Sequence, residues 1–273
     1  MLRWTWTMRA TPVVAGTLLA VAGLAFAAPA LAQRRGGGPD LSGPLAQLAS
    51  TDQDEVRAGL EALGLSGSPR AVTPIVQRVE RGLPPELLGV AVDTLMILGR
   101  PEAGPLLFDL MHHRRADIRL KAIQAILATL PPGHEGVLVT ALGDSEPTVR
   151  AAAAEGLGST GAVRSIDALF HALERGVPEA AMAIAALARP SDVDRMLALV
   201  GTMPFEALTP ALSELLHRRD LADRSKVAII HRLTELATPG VRSFLEDFVA
   251  SLPPEDHSEV RRAAEEAIPR IAQ

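Results

Sequence analysis

The chain has 273 residues, 27 of them basic and 32 acidic, with a formal net charge of −5, no cysteine and no tyrosine. An acidic balance argues against a general nucleic-acid binder, and the lack of cysteine excludes a disulfide framework or a lipidated N-terminal cysteine. With 48% of residues apolar, stability has to come from packing alone.

Residues 1–32 read as an export signal. Arg3 and Arg9 supply a positive start, Val13 to Ala27 an apolar stretch, and Ala30-Leu31-Ala32 a small-x-small site before Gln33. The alternative is an uncleaved membrane anchor, for which the apolar run is marginal in length. Cleavage near Ala32 is therefore expected, with a periplasmic or secreted destination and no stable membrane span afterwards. No twin-arginine pair precedes the apolar stretch, which points to general secretion. Cleavage removes Arg3 and Arg9 and no acid, leaving 25 basic against 32 acidic residues and a formal charge of about −7, which favours solubility. It also removes both tryptophans, Trp4 and Trp6, so that only Phe108, Phe170, Phe205, Phe244 and Phe248 remain as aromatic residues. Sugar and single-stranded nucleic-acid sites rely on stacked rings and are disfavoured. Gln33 to Pro44 (QRRGGGPDLSGP) has no periodicity and reads as a flexible leader at 33–44, before a repeat domain at 45–273.

Beyond the leader, apolar or small residues recur at the spacing that paints one stripe on a helix. The stripes are Val56, Gly59, Leu60, Leu63, Gly64; Leu88, Ala91, Val92, Leu95, Met96; Ile118, Ala122, Ala125, Ile126; Val149, Ala152, Ala153, Gly156, Leu157; Ala180, Ala183, Ile184, Leu187, Ala188; and Leu208, Ala211, Leu212, Leu215, Leu216. In the third, Lys121 interrupts the stripe. The starting positions step by 32, 30, 31, 31 and 28 residues, the mark of a structural repeat. Second helices are predicted between them at about 69–81, 101–113, 134–143, 161–175 and 190–201, set off by turns such as Gly67-Ser68-Pro69 and Pro131-Pro132-Gly133. A helical hairpin of that size cannot enclose a core and must stack on its neighbours. The spacing thus predicts an all-α solenoid of about seven hairpins. Small residues on the stripes imply helices at the close end of the usual 8–10 Å separation.

After His217 two registers compete. A count of 33 makes Val241, Phe244, Leu245, Phe248 and Val249 a first helix, whereas Val241-Arg242-Ser243 matches Val163-Arg164-Ser165 of a second helix. In the latter case 204–217 is an extra helix and the superhelix kinks there. The last helix, about 257–271, carries Glu259, Arg261, Arg262, Glu265 and Glu266 and suits a terminal cap with one wet face.

An acidic-x-x-V-R start, an alanine-rich helix, LG and a glycine turn occur at Glu146-Pro147-Thr148-Val149-Arg150 through Leu157-Gly158 and at Asp54-Glu55-Val56-Arg57 through Leu63-Gly64, and more loosely at Asp117-Ile118-Arg119. In these residues the chain resembles HEAT-like repeat proteins, the short bacterial type found also in phycobilin lyases, over most of 51–200. The resemblance implies a right-handed armadillo-type superhelix, second helices on the concave face, Asp and Arg of successive repeats bridging layers, and binding without catalysis.

Two groups, His112-His113-Arg114-Arg115 and His217-Arg218-Arg219, fall where helices end. There cations complement the helix dipole and reach free carbonyls; the functional alternative is an anion-binding or pH-responsive patch. On the second helices, Arg78, Glu80, Arg81, His112, His113, Arg114, His171, Glu174 and Arg175 are candidate partner-binding residues, set against the simpler reading of a solvated helix face. One His-Glu pair, His134-Glu135, has no counterpart in other repeats, so the metal site of HEAT-like deoxyhypusine hydroxylases does not carry over. No catalytic, cofactor-binding or metal residue is assigned. The function expected from sequence is a periplasmic scaffold or adaptor that binds a protein or peptide along its concave face; the alternative is an enzyme or metal-binding protein with a site built across repeats.

Overall fold

The computed structural model describes residues 38–271; the expected signal and most of the leader lie outside the described residues. These residues form fifteen α-helices: α1 (Ser42–Leu48), α2 (Gln53–Leu65), α3 (Val72–Glu80), α4 (Pro85–Leu98), α5 (Gly104–Leu110), α6 (Ala116–Thr129), α7 (His134–Ala141), α8 (Pro147–Ser159), α9 (Ile166–Glu174), α10 (Glu179–Leu187), α11 (Pro190–Leu199), α12 (Phe205–His217), α13 (Asp223–Leu236), α14 (Pro239–Ser251) and α15 (Glu259–Ala267). Their only β-type pairing is an isolated bridge between Val200 and Met203. Each helix follows from local chemistry. Asp52 caps α2 by accepting from the amides of Asp54 (2.8 Å) and Glu55 (3.1 Å), and Asp54 and Glu55 add negative charge to the first turn. Proline occupies the first turn of α4, α8, α11 and α14, where its missing N–H goes unneeded. Gly99 ends α4 at φ +61°, a left-handed conformation that costs glycine nothing.

The predicted stripes are the interior. All five residues are buried on α2, α12 and on the Ala180–Ala188 stripe of α10, whereas Met96 of α4 and Ala152 of α8 are half-buried. Lys121 does not break its stripe: its ammonium reaches sideways to Asp93 of the preceding layer, at 2.5 and 2.6 Å.

The helices stack in two rows. The even-numbered helices α2, α4, α6, α8, α10 and α12 pack closely on one another, while α1, α3, α5, α7, α9 and α11 touch their row neighbours only lightly. The tight hairpins are α1/α2, α3/α4, α5/α6, α7/α8 and α9/α10. Each thus joins a second helix to the first helix that follows it, one helix out of phase with the pairing read from the repeats. Rows of unequal spacing curve the stack toward the closer row, so the second helices lie on the outer side of the bend and not on the concave side that the family resemblance implies. Both the hairpins and the close row depend on absent side chains. In the α1/α2 hairpin, a Cβ on Gly59 would sit 2.7 Å from the backbone nitrogen of Leu48 and 2.9 Å from the carbonyl oxygen of Pro44. One on Gly158 would come within 3.0 Å of the Ala183 Cα.

The tight stacking changes rows after α12. Close stacking passes to α13 on α15, α14 packs on α15 as the odd helices pack on the even ones before, and α12 touches both α13 and α14 lightly. Because α13 also packs on α11 and α14 on α12, the two rows keep alternating past α12 while the tight stacking moves from the even helices to α13 and α15, a shift that matches neither of the two registers alone. Ser258-Glu259-Val260-Arg261 at the start of α15 parallels Asp54-Glu55-Val56-Arg57 at the start of α2. The terminal cap expected at 257–271 is therefore the last of the closely stacked helices.

Replacing Gly59 with alanine is expected to cost about 1–3 kcal/mol, because its obstacle is backbone and cannot rotate away. Gly136 lies inside α7 with nothing within 4 Å of where an alanine methyl would stand, so Gly136→Ala should stabilise by roughly 0.5–1 kcal/mol through helix propensity. Chemical denaturation of both variants checks the pair; equal destabilisation would count against the close α1/α2 contact.

Candidate functional site

Arginines hold the layers by clamping exposed helix ends. Arg119 of α6 donates to the carbonyl of His113 (2.9 Å) and, through Nε and Nη2, to both oxygens of Asp144 (2.7 and 2.6 Å). One repeat on, Arg150 donates to the carbonyls of Asp144 (2.9 Å) and Ser145 (3.1 Å). Arg218 reaches Ala185 and Ala188 at the end of α10 (2.7 and 2.8 Å), and Arg232 reaches Val200 after α11 (3.0 Å). Such carbonyls have no partner within their helix, and a forked guanidinium can satisfy two at once.

Arg119 and Asp144 form an Asp–Arg bridge between layers of the kind the resemblance implies, with both side chains only 11% exposed. Burial works against the Asp144 charge, but the Arg119 guanidinium and the Glu146 amide hold its pKa below the ordinary carboxylate value. At the surface, Arg218 pulls Asp220 down to about 2, so that pair stays ionised until strongly acid pH. Arg114 and Arg115 make no such clamp: Arg114 is exposed, and Arg115 pairs with Asp117 at 2.7 Å.

The sequence-predicted residues fall at the C-terminal ends of three outer helices and do not converge on one site. Arg78 is structural, donating to the carbonyls of Leu48 (3.1 Å) and Gly82 (2.7 Å). Glu80 and Arg81 are exposed beyond it. His112 is exposed, and the Nδ1 of half-buried His113 accepts from the Arg115 amide at 3.2 Å. His171 lies 3.8 Å from Glu174, both more than half exposed, and Arg175 is exposed. His134 and Glu135 are occupied in turns, His134 donating to the Pro131 carbonyl (3.0 Å) and Glu135 accepting from Ser165 (2.8 Å). Among the described residues no group of three or more His, Asp or Glu side chains is placed to hold a metal ion.

What the light stacking of outer helices creates is clefts. Arg78 and Arg81 line a small one of about 80 Å³ between α1 and α3. A larger one, about 380 Å³, opens between α5 and α7, with Phe108, Met111 and Val137 as its apolar lining and His112, Thr140 and Asp144 as its polar groups. A third, about 360 Å³, lies between α12 and α14 and includes His217, Phe244, Asp247 and Phe248. The nine candidate residues missed this one. Its signal was present: three of the five phenylalanines after the expected cleavage site, Phe205, Phe244 and Phe248, gather at this joint, with Phe205 edge-on to Phe244 at 5.7 Å.

Residues 108–189 match the family model for HEAT repeats. Over that stretch the chain is similar to HEAT repeats. Its solved structural relatives are distant. A homology model of the full-length AP-3 complex in an intermediate open conformation is 15% identical with a TM-score of 0.54, covering 84% of this chain and 50% of that one. The complex of CpcE and CpcF of phycocyanin lyase from Nostoc sp. PCC7120 is 17% identical with a TM-score of 0.46, covering 88% of this chain and 97% of that one. A designed armadillo repeat protein is 18% identical with a TM-score of 0.41, covering 85% and 100%. At these identities the likeness concerns fold alone. No curated protein matches the chain.

Removing Asp144 leaves the buried Arg119 guanidinium unpaired, a change expected to cost about 3 kcal/mol. Because the Asp144 pKa is lowered on folding, its contribution is complete above the ordinary carboxylate range and is lost as pH falls through the lowered pKa. Thermal melts of Asp144→Ala should therefore differ most from wild type near neutral pH and converge in acid; a constant difference would contradict the assignment.

Proposed function

We propose that this HEAT-like solenoid is an exported, non-catalytic adaptor that holds a segment of another protein in the clefts between its outer helices. The observation that carries the reading is the α5/α7 cleft. Phe108, Met111 and Val137 offer apolar surface to an inserted side chain, and His112 and Thr140 offer hydrogen bonds beside it. Repeat stacks present such surfaces preformed, so little ordering is needed on binding. Among the candidate residues named from sequence, His112 serves this cleft directly. Glu80, Arg81, Arg114, His171, Glu174 and Arg175 form an exposed charged rim that steers encounter more than it adds affinity.

No helix among the described residues is long and apolar enough to cross a membrane. The periplasmic or secreted destination rests on the first 32 residues alone.

Thr140 is exposed on α7, so tryptophan there fills the cleft without disturbing the core. Thr140→Trp is expected to lower partner recovery in crosslinking from the native compartment while leaving the thermal midpoint nearly unchanged; undiminished recovery would exclude this cleft. Mass spectrometry of the exported protein should find Gln33 as its first residue, and intact Met1 in that fraction would refute cleavage.

A further inference from the structure

One outer gap is closed by the protein's own arginine. Between α9 and α11 the Arg195 guanidinium lies over the Phe170 ring, 4.0 Å from its centroid, while Nη1 donates to Asp167 at 2.6 Å. A cation on an aromatic face is held by the ring quadrupole, and the carboxylate at its edge adds a charge-assisted hydrogen bond. The outer-helix sequence recurs: Val163-Arg164-Ser165 through Phe170 aligns with Val241-Arg242-Ser243 through Phe248 in α14. Phe248 thus stands where Phe170 stands. Among the described residues, no lysine or arginine lines the α12/α14 cleft beside it.

The lining of that cleft is built for a donor. Thr209 donates its hydroxyl proton to the Phe205 carbonyl at 3.0 Å, and the Ser251 hydroxyl, 2.6 Å from the Phe248 carbonyl, gives its proton to that carbonyl or to His217 Nε2, so both oxygens present lone pairs to the cleft. The exposed Asp247 carboxylate adds acceptor oxygens and negative charge. His217 closes one end, with Nδ1–H donating to the Ser213 carbonyl at 2.7 Å, Nε2 lying 2.9 Å from Ser251 Oγ and competing with the Phe248 carbonyl for that hydroxyl's one proton, and the ring edge-on to Phe248 at 5.3 Å. Phe244 is only half-buried and turns ring surface to the open cleft.

We propose that the α12/α14 cleft seats an arginine side chain of the partner segment, its guanidinium over Phe244 and its N–H groups on Asp247 and Ser251. The partner is thus a basic segment, matched to a chain whose formal charge of −5 becomes about −7 on the expected cleavage. This assignment rests on the adaptor reading for the source of the arginine. Its chemistry repeats, between two molecules, what Arg195, Phe170 and Asp167 do within one.

The test titrates full-length protein, carrying ¹³C-labelled phenylalanine rings, with N-acetyl-arginine amide and with its neutral isostere N-acetyl-citrulline amide. Saturable shifts confined to Phe244, Phe248 and the neighbouring Phe205, with Phe170 unmoved, are expected for the arginine probe, and several-fold weaker binding for the citrulline probe. Asp247→Asn should remove most of that difference, and Phe244→Leu should weaken the arginine probe alone. Absent shifts, equal binding of the two probes, or an unaltered preference in Asp247→Asn would overturn the proposal. Failure of the probe with Thr140→Trp still lowering partner recovery removes this cleft and leaves the adaptor standing. Probe binding as expected, with recovery insensitive to Thr140→Trp, fails the α5/α7 reading instead.

Discussion

Everything in this architecture follows from how near the even-numbered helices come to one another. Where Gly64 of α2 faces Thr94 of α4 and Gly158 of α8 faces Ala183 of α10, the glycine has no side chain to hold the helices apart. Alanine and glycine along the stripes make that approach possible, and the apolar area it hides is what holds layers together in a chain without cysteine and almost without aromatics. A stack pulled tight on one side must open on the other. The clefts between α1 and α3 and between α5 and α7 are that opening, so the surface available to a partner is a mechanical consequence of the tight row.

The charged residues divide along the same line. Arg78, Arg119, Arg150, Arg218 and Arg232 look from composition like material for a binding face, yet each is tied to carbonyls at a helix end or in the turn between two helices. Short helices need this, since in a helix of seven to fourteen residues the unpaired terminal groups are a large share of the backbone. Binding energy then has to come from the clefts and their phenylalanines, because the guanidinium groups that interfaces usually favour are engaged within the fold.

The repeat was legible because the stripes sample one helical period over six layers, and a pattern so regular has few explanations. Its phase was not. Both connections of the repeat are short, so spacing alone could not say whether α2 pairs with α3 or with α1, and only packing shows the latter. The concave placement of the second helices came from the family resemblance, whereas packing puts them in the loosely stacked row. Lys121 read as a flaw in its stripe because helical spacing says nothing of Asp93, 28 residues earlier and one layer away. The bridge between Arg119 and Asp144 was foreseen only through family resemblance. Among the candidate residues, Arg78 illustrates the general difficulty: a charged side chain near a helix end has the same spacing whether it faces a partner or the carbonyl of Leu48.

The joint at α12 shows how a phase change can create a site. Up to α12 the tight stacking keeps to the even row, and an outer gap can be closed from within, as Arg195 does over Phe170. After α12 the tight stacking leaves the even row: α14 packs only lightly on α12, while α13, which follows α11 in the other row, stacks closely on α15. Phe248 of α14 keeps the position of Phe170 in the repeat but loses the partner that position would normally meet. His217, the last residue of α12, covers only the edge of the ring. A chain with five phenylalanines beyond its expected cleavage site has thus left the half-buried ring of Phe244 beside an exposed carboxylate at the one point where its periodicity breaks. Regular repeats bury such groups against each other, and an irregular one leaves them to be met from outside.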